Sequence, residues 1–292
     1  MDELLNTNNK KKERLLVSIC LVSYNQEKYI RQCVDSILQQ KTSFEYELII
    51  GDDCSTDNTA KILKKYYSDN AKIRLVLREK NLGATHNSEN LLQQAKGKYI
   101  FCFEGDDYLL GEDGLQTLVD WLETHENYAG VAGRNVVFSE RTKRKTIAGN
   151  KNDYNYTITL KKFLKGQRYK RTTNTLFRNF FHDGRYDYSL SKYHHIIGDF
   201  TMTLYILLHG PVFQHEKIIS VYRVDQRKGA TSYNGITSMR EMHSDRMLLL
   251  QNLDSMFPEK LDFTVWKKIF VKRYVDSLVV PSLMREIPFL LK

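Results

Sequence analysis

The sequence predicts an α/β protein whose mostly parallel sheet is covered by helices on both faces. Apolar runs alternate with segments of helical spacing through the first third of the chain, as expected of parallel strands joined by crossover helices. The first run, LLVSICLVSY (Leu15–Tyr24), is almost continuously apolar, as in a strand that is buried on both faces. Polar and acidic residues follow several predicted strands where they end, and ligands of parallel sheets bind at that edge.

Strands and helices alternate up to Phe103. Helical spacing of apolar residues indicates the helices, and short apolar runs indicate the strands. Gly97 follows the third helix and is predicted to end it as a C-cap. In chain order the elements are strand Leu15–Tyr24, a helix containing Ile30–Leu38, strand Tyr46–Gly51, helix Asp57–Tyr67, strand Ile73–Leu77, helix Ser88–Lys96 and strand Lys98–Phe103.

The rest of the chain divides less clearly. A helix is predicted from Gly111, then a strand at Gly130–Glu140, then an exposed basic loop over residues 141–156. The periodicity weakens past Thr157, although IIGDFTMTLYILL predicts one more helix. The resulting regions are a basic N-terminal tail (residues 1–14), the α/β unit (residues 15–232) and a helical C-terminal region (residues 233–292).

The composition is that of a globular protein with a basic surface. Of the 292 residues 41% are hydrophobic, and the formal net charge is +9; that surplus favours anionic partners such as nucleotides, an anionic membrane face or nucleic acid, without choosing among them. The four cysteines lie in the first third without CxxC spacing, which argues against a zinc site or a disulfide framework and for a reducing cytosol. No apolar stretch reaches about 18 residues and the N-terminus lacks an apolar core, so neither a spanning helix nor a signal peptide is expected.

Polar clusters end three of the predicted strands. SYN (Ser23–Asn25) follows the first strand, Asp52 and Asp53 end the second, and EGDD (Glu104–Asp107) ends the fourth. The carboxyl ends of parallel strands meet at one edge, so the three clusters are expected to converge. At that edge the carboxylates of Asp52 and Asp53 could accept hydrogen bonds from a base or a ribose.

The acidic cluster EGDD is a candidate cation site. The chain has no GxGxxG turn after its first strand and no GxxxxGK[ST] segment, so a bound nucleotide would need another counter-charge for its phosphates. Glu104, Asp106 and Asp107 could supply it by holding Mg²⁺ or Mn²⁺, because hard cations prefer carboxylate oxygens. The alternative is that Asp107 caps a turn and the other two are solvated loop acids.

Four segments in fixed order carry a resemblance to a known family: VSICLVSYNQEKYIRQCVDSILQQ, YELIIGDDCSTDNT, NLGATHNSENLLQQAKGKYIFCFEGDD and GDFTM. Together they resemble the family 2 glycosyltransferases of the GT-A fold, from about Val17 to Ser232. The resemblance implies a UDP-sugar donor, a nucleotide half (about residues 15–110) and an acceptor half (about residues 111–232). The usual family pattern at strand four is Asp-x-Asp, and this chain has Glu104 in the first position and Asp106 in the second.

The resemblance also implies individual roles. Asp106 matches the acid that ligates the metal. Arg223 matches the arginine of a segment near the diphosphate, where Asp225 replaces a frequent histidine, and His86 stands where arginine is common. The residues implied to contact the donor are Ser23, Tyr24, Asn25, Asp52, Asp53, Asn81, Asn87, Glu104, Asp106 and Arg223.

The implied reaction is a single displacement that inverts the anomeric carbon. An acceptor hydroxyl attacks while UDP departs, and a carboxylate takes the hydroxyl proton. The family places this base before an apolar helix beyond the metal motif, a position that Asp199 matches. The alternative is that Asp199 is only an N-cap. His194 and His195 could shape the acceptor pocket or serve packing alone.

Residues 264–292 alternate apolar pairs with basic residues. A basic amphipathic helix with Trp and Phe can lie in a membrane interface, which would suit a lipid-linked acceptor. The alternative is that the apolar stripe packs on the α/β unit or on a second subunit in an oligomer. The expected location is the cytoplasm, with contact to the inner face of the membrane left open.

The sequence therefore predicts an inverting, metal-dependent glycosyltransferase that uses a UDP-sugar and a carbohydrate or lipid-linked acceptor to build a polysaccharide or glycan. A metal-dependent nucleotidyltransferase would also use paired acids, but it would not explain the distant Asp199. A nucleic-acid-binding module would explain the net charge, but it should present basic residues with interleaved aromatics, and no nucleic-acid partner is expected. A non-catalytic sugar-nucleotide-binding protein stays open because of Glu104 and Asp225.

Overall fold

The computed structural model describes residues 15–148, 154–164, 174–181 and 198–224, with isolated helical positions at 248, 264, 268 and 271–272. Within these residues the strands are β1 Leu15–Ser23, β2 Glu45–Asp52, β3 Ile73–Leu77, β4 Tyr99–Glu104, β5 Tyr108–Leu109, β6 Gly130–Ser139, β7 Lys145–Ile147, β8 Tyr156–Ile158, β9 Thr175–Arg178 and β10 Val212–Val224. The helices are α1 Ile30–Leu38, α2 Thr59–Tyr67, α3 Ala84–Gln94, α4 Gly114–Glu123, α5 Leu160–Leu164 and α6 Gly198–His209.

The described strands form one sheet in the order β3-β2-β1-β4-β9-β6-β10-β5, with β7 paired to β6 and β8 to β10. Strands β1 to β4 are parallel, and β6 is parallel to β10. Strand β9 runs antiparallel to both β4 and β6, so β6 and β10 point the same way as β4. The carboxyl ends of β1, β2, β4, β6 and β10 therefore share one edge. The predicted α/β sheet is confirmed, and it is a mixed sheet because β5, β7, β8 and β9 pair antiparallel with their neighbours.

Helices cover both faces of the sheet because β1 is apolar on both sides. Ile19 and Leu21 pack with Ile30 of α1 in one core cluster, and all three side chains are fully buried. The same cluster contains residues of α2 and α4. Cys20 points to the other face, into a cluster with Leu91 of α3 and residues of α6. Each buried aliphatic side chain of this kind contributes about 1.5–3 kcal/mol, so the run anchors both layers.

The third helix differs from its prediction at both ends. It begins at Ala84 rather than Ser88, and it ends at Gln94 with Ala95 as its C-cap, so the predicted C-cap role of Gly97 is wrong. Gly97 instead meets β1: a Cβ there would lie 2.6 Å from the Ser18 nitrogen. Its own N–H donates to Ser18 Oγ over 2.8 Å. Close approach of two chain segments, rather than a helix terminus, requires this glycine.

The basic stretch after β6 is only partly a loop. Lys145–Ile147 pairs with β6 as β7, and β8 begins at Tyr156, so the prediction of an exposed loop over residues 141–156 is wrong in these places, where the chain forms strands. The N-terminal tail and most of residues 233–292 lie outside the described residues. Of the amphipathic C-terminal stretch, Thr264, Lys268, Val271 and Lys272 are helical and exposed. No helix among the described residues is both long and apolar enough to cross a bilayer.

Candidate functional site

The three polar clusters meet at the carboxyl edge of the sheet. Ser23 at the end of β1 pairs in register with Asp52, and the Asp53 N–H donates to the Ser23 carbonyl over 2.9 Å. On the other side of β1, Val22 pairs with Glu104. Neighbouring strands lie roughly 4.8 Å apart, so the side chains that follow β1, β2 and β4 lie close together. This part of the sheet edge, which contains Ser23–Asn25, Asp52, Asp53 and Glu104–Asp107, is named here the rim.

The EGDD segment forms a tight turn with three converging carboxylates. Ligand oxygens of Glu104, Asp106 and Asp107 lie within 4.8 Å of one another. An N–H from Asp107 to the Glu104 carbonyl closes the turn over 3.1 Å. Carboxylates this close repel one another, and three oxygen ligands in such a cluster suit a hard divalent cation such as Mg²⁺ or Mn²⁺. The donor set therefore fits the predicted cation.

The turn packs tightly onto the layer beneath it. A Cβ at Gly105 would lie 3.1 Å from Ser23 Oγ and 3.2 Å from Ile30 Cδ1. Cys33 of α1 donates its thiol to the Glu104 carbonyl over 3.4 Å. Burial, followed by the nearby Asp107 and Asp106, raises the pKa of the Cys33 thiol, so it serves as a neutral donor.

Arg223 of β10 bonds the turn Glu104–Asp107, named here the acidic turn. Its backbone N–H donates to Asp107 Oδ1 and its Nε to the Asp106 carbonyl, both over 2.8 Å. The guanidinium also donates to Gln32 of α1 over 2.8 Å and to Glu140. It stacks 4.4 Å from the Tyr29 ring centroid. Arg223 is 8% exposed, and its side chain bonds protein groups beside the acidic turn.

Glu140 was not predicted from the sequence. Its side chain is 9% exposed and forms an ion pair with Arg223, while Lys143 bonds its other oxygen. Burial alone would raise the pKa of Glu140, but the hydrogen bonds from Lys143 and Arg223 hold it below its usual value. The available signal was a single acid directly before the run RTKRK, and that pattern does not reveal a partner on β10.

Replacing Arg223 by methionine should lower the free energy of unfolding by about 3 kcal/mol, because Glu140 is then buried with Lys143 as its remaining cation. Adding Glu140→Gln should cost little more, since the two residues form one pair. Because the pKa of folded Glu140 is lowered, its contribution is present at neutral pH and lost as the pH falls through that value. Urea titrations of both single variants and the double variant test this, and additive losses would contradict the pairing.

Asp52 and Asp53 hold the loops that border the rim. Asp52, 1% exposed, accepts hydrogen bonds from the Ser55 hydroxyl over 2.6 Å and the Ser55 N–H over 3.0 Å. Asp53, 3% exposed, accepts the N–H groups of Leu82 over 2.7 Å and Gly83 over 2.9 Å. A carboxylate offers about four acceptor positions, so these bonds leave capacity for a ligand hydroxyl.

The three asparagines also shape loops. Asn25 adopts a left-handed φ of 54° and accepts the Thr56 N–H over 2.8 Å. Asn81 donates to the Asp53 carbonyl over 3.0 Å, beside the rim. Asn87 is 1% exposed and donates to the Gly51 carbonyl over 2.8 Å, so the structure places its side chain under the end of β2 rather than on the rim.

Ser23 differs from these residues. Its hydroxyl is buried and has no hydrogen-bond partner among the described residues, although the residue sits at the end of β1. A buried hydroxyl without a partner is costly, and a ligand at the rim would supply one. Tyr24, next in the chain, is half-buried.

Asp199 is the second residue of α6, which begins at Gly198. It therefore lies in the first turn of the helix rather than at the N-cap position. Its neighbours His194 and His195 lie outside the described residues. Asp225, which follows β10, lies outside them as well.

Part of the chain is similar in sequence to known proteins. An uncharacterized protein of Mycobacterium tuberculosis is 40% identical over 110 residues, covering 37% of this chain and 32% of that protein. Chondroitin synthase of Pasteurella multocida is 42% identical over 94 residues, covering 32% of this chain and 10% of that protein. The chain thus spans about a third or less of the length of these curated relatives.

A solved structure shares the fold. Residues 1–349 of Staphylococcus aureus TarS, in complex with UDP-GlcNAc, match with a TM-score of 0.63 at 18% identity, covering 94% of this chain and 78% of that chain. The predicted GT-A fold is confirmed. The profile described as Glycosyl transferase family 2 matches residues 18–203, well over half of the chain. The protein therefore belongs to glycosyl transferase family 2.

Proposed function

We propose that the protein is an inverting, metal-dependent glycosyltransferase that moves a sugar from a UDP-sugar to an acceptor hydroxyl in polysaccharide or glycan synthesis. The observation that carries the proposal is the cluster of Glu104, Asp106 and Asp107 beside Ser23 on the rim. Family membership and a fold neighbour solved with UDP-GlcNAc support the same donor class.

The uracil and ribose would lie over the ends of β1 and β2. Ser23 is the proposed hydrogen-bonding group because its hydroxyl has no partner among the described residues. Tyr24 would add a half-buried aromatic edge. Asp53 would accept a ribose hydroxyl with its remaining acceptor capacity. The residues that shape this pocket through their loop contacts would be Asn25, Asp52, Asn81 and Asn87.

The diphosphate would lie over the acidic turn. Asp106 is the proposed metal ligand, with Glu104 and Asp107 beside it. A bound Mg²⁺ or Mn²⁺ supplies positive charge that stabilises the departing diphosphate. Arg223 and Glu140 would act as positioning residues, because Arg223 holds both the Asp106 carbonyl and the Asp107 carboxylate.

Asp199 is the proposed general base. It would take the proton of the acceptor hydroxyl as that oxygen bonds the anomeric carbon and the bond from that carbon to UDP breaks. The acceptor would be a carbohydrate or a lipid-linked glycan. The free cysteines among the described residues fit a reducing cytoplasm, and membrane contact through residues 264–292 and an oligomeric state stay predictions.

A donor screen tests the proposal. Purified protein with Mn²⁺ is incubated with UDP-glucose, UDP-galactose and their N-acetyl forms, and released UDP is measured. We expect slow release from one preferred sugar, faster once an acceptor is present, and loss of release in Asp199→Asn. Tight UDP binding without release from any donor, with or without acceptor extracts, would favour the non-catalytic sugar-nucleotide binder.

A further inference from the structure

The turn and strand after β6 carry a dense positive charge. Residues 139–147, named here the basic hairpin, include Arg141, Lys143, Arg144 and Lys145, all exposed. Lys143 pairs with Glu140, but Arg141, Arg144 and Lys145 form no ion pair with any residue that the structure describes. Three neighbouring cations that have no ion-pair partner within the described part of the chain form an anion-attracting surface.

Backbone hydrogen bonds tie the basic hairpin together and pair it with β6. Strand β7 pairs antiparallel with β6, with Lys145 opposite Phe138. The Ser139 N–H donates to the Arg144 carbonyl over 3.0 Å, and the Lys143 N–H donates to the Ser139 carbonyl over 2.8 Å. A ligand that meets these cations need not order the backbone that presents them, so less binding energy is lost.

The basic hairpin stands beside the acidic turn. Strand β6 ends at the same edge of the sheet as β4, and Glu140, within the hairpin, pairs with Arg223. Arg223 in turn bonds Asp106 and Asp107. Two side chains therefore connect the base of the hairpin to the acids of the turn.

We propose that the basic hairpin binds an anionic acceptor chain, whose repeating unit carries phosphate or carboxylate, and holds it beside the acidic turn. This inference rests on the proposed glycosyltransferase function. The acids of the rim repel a polyanion, so an anionic acceptor needs nearby cations to approach the reaction centre. A neutral acceptor would draw no benefit from Arg141, Arg144 and Lys145.

A membrane surface fits the basic hairpin less well. An interfacial segment combines basic residues with several large apolar or aromatic side chains. In the hairpin the large exposed apolar residue is Ile147, at 54% exposure. Phe138, which precedes the hairpin, is covered by two of its lysines. The Nζ atoms of Lys143 and Lys145 lie 5.8 and 5.9 Å from the centroid of the Phe138 ring. Because the basic hairpin is charged and lacks an apolar face, a hydrated polyanion fits it better than a membrane surface does.

The test compares two triple variants of equal charge change. The first is Arg141→Gln, Arg144→Gln and Lys145→Gln, and the control is Lys61→Gln, Lys64→Gln and Lys65→Gln on the exposed face of α2. The probes are a fluorescein-labelled glycerol-phosphate oligomer, a labelled hyaluronan oligosaccharide and labelled neutral maltoheptaose, all measured by anisotropy at low salt. Binding to vesicles of anionic phospholipid is measured beside them by co-sedimentation. We expect the hairpin variant to bind one or both anionic probes about tenfold to a hundredfold more weakly. Binding by the α2 variant should match that of the wild type.

Three results would overturn the inference. They are equal binding of both anionic probes by wild type and hairpin variant, an equal loss in the α2 variant, and hairpin-dependent binding confined to vesicles of anionic phospholipid. UDP titrations of the same proteins report the donor site separately. A wild type that binds the anionic probes through the hairpin but fails to bind UDP would count against the proposed function and not against the anion site.

Discussion

Replacing Asp106 by alanine is expected to reduce sugar transfer by about a thousandfold or more, because the departing diphosphate would then lose the proposed cation that offsets its charge. The effect should be large because Asp106 is one of only three described acids in the cluster at this rim. Initial rates of UDP release with saturating Mn²⁺ measure it.

The loss in Asp106→Ala should not come from unfolding. Arg223 bonds the backbone carbonyl of Asp106, which alanine keeps, and removing one of three crowded carboxylates relieves repulsion. In EDTA the melting temperature of the variant should therefore equal or exceed that of wild type. Asp69→Ala, an exposed acid after α2, is the matched control and should transfer sugar at the wild-type rate. Near-normal turnover in Asp106→Ala would move the cation to another site.

Asp199→Asn is expected to lower turnover by about a hundredfold to ten-thousandfold while UDP affinity stays unchanged. Asparagine has nearly the same shape and keeps a polar side chain in the first turn of α6, but it cannot take the acceptor proton. Stability should change little, so a split between intact UDP binding and lost transfer separates a base from a structural residue.

The natural control for Asp199→Asn is Asp199→Glu, which restores a carboxylate on a longer arm and should recover part of the rate. Calorimetry measures the UDP affinity of both variants, and initial rates measure their sugar transfer. Turnover near the wild-type level in Asp199→Asn would assign the base to another carboxylate.

The first half of the fold follows from local patterns. Strand β3 coincides with its predicted bounds, Ile73–Leu77, and β1 and β4 differ from theirs by single residues. Buried parallel strands must be apolar on both faces, so their runs are visible in the sequence. The convergence of the clusters after β1, β2 and β4 follows in turn, because parallel strands end at one edge.

Contacts between distant residues could not be predicted in this way. Glu140 and Arg223 are 83 positions apart, and no local pattern links them. Asp53 was predicted to contact the donor, and its carboxylate oxygens accept hydrogen bonds from the N–H groups of Leu82 and Gly83, about 30 positions away. Strand β7 could not be recognised in its polar, basic sequence, because it is exposed and is formed by pairing with β6 rather than by burial. Tertiary contacts override local preference in each case.

These contacts change the interpretation of the site. Among the residues predicted as direct ligands, Asn87 and Arg223 bond protein groups around the rim, whereas the Ser23 hydroxyl has no partner among the described residues and stays a proposed donor contact. Variants of Asn87 and Arg223 should affect stability and the order of the acidic turn, whereas variants of Ser23 should affect donor affinity with little change in stability.

The acids at the end of β4 are proposed to bind the nucleotide through a divalent cation. The most direct test of this proposal is a calorimetric titration of UDP into the wild-type protein, once with Mn²⁺ and once in EDTA. We expect clear binding of UDP with Mn²⁺ and an affinity at least about tenfold weaker in EDTA. Equal affinity under the two conditions would contradict it.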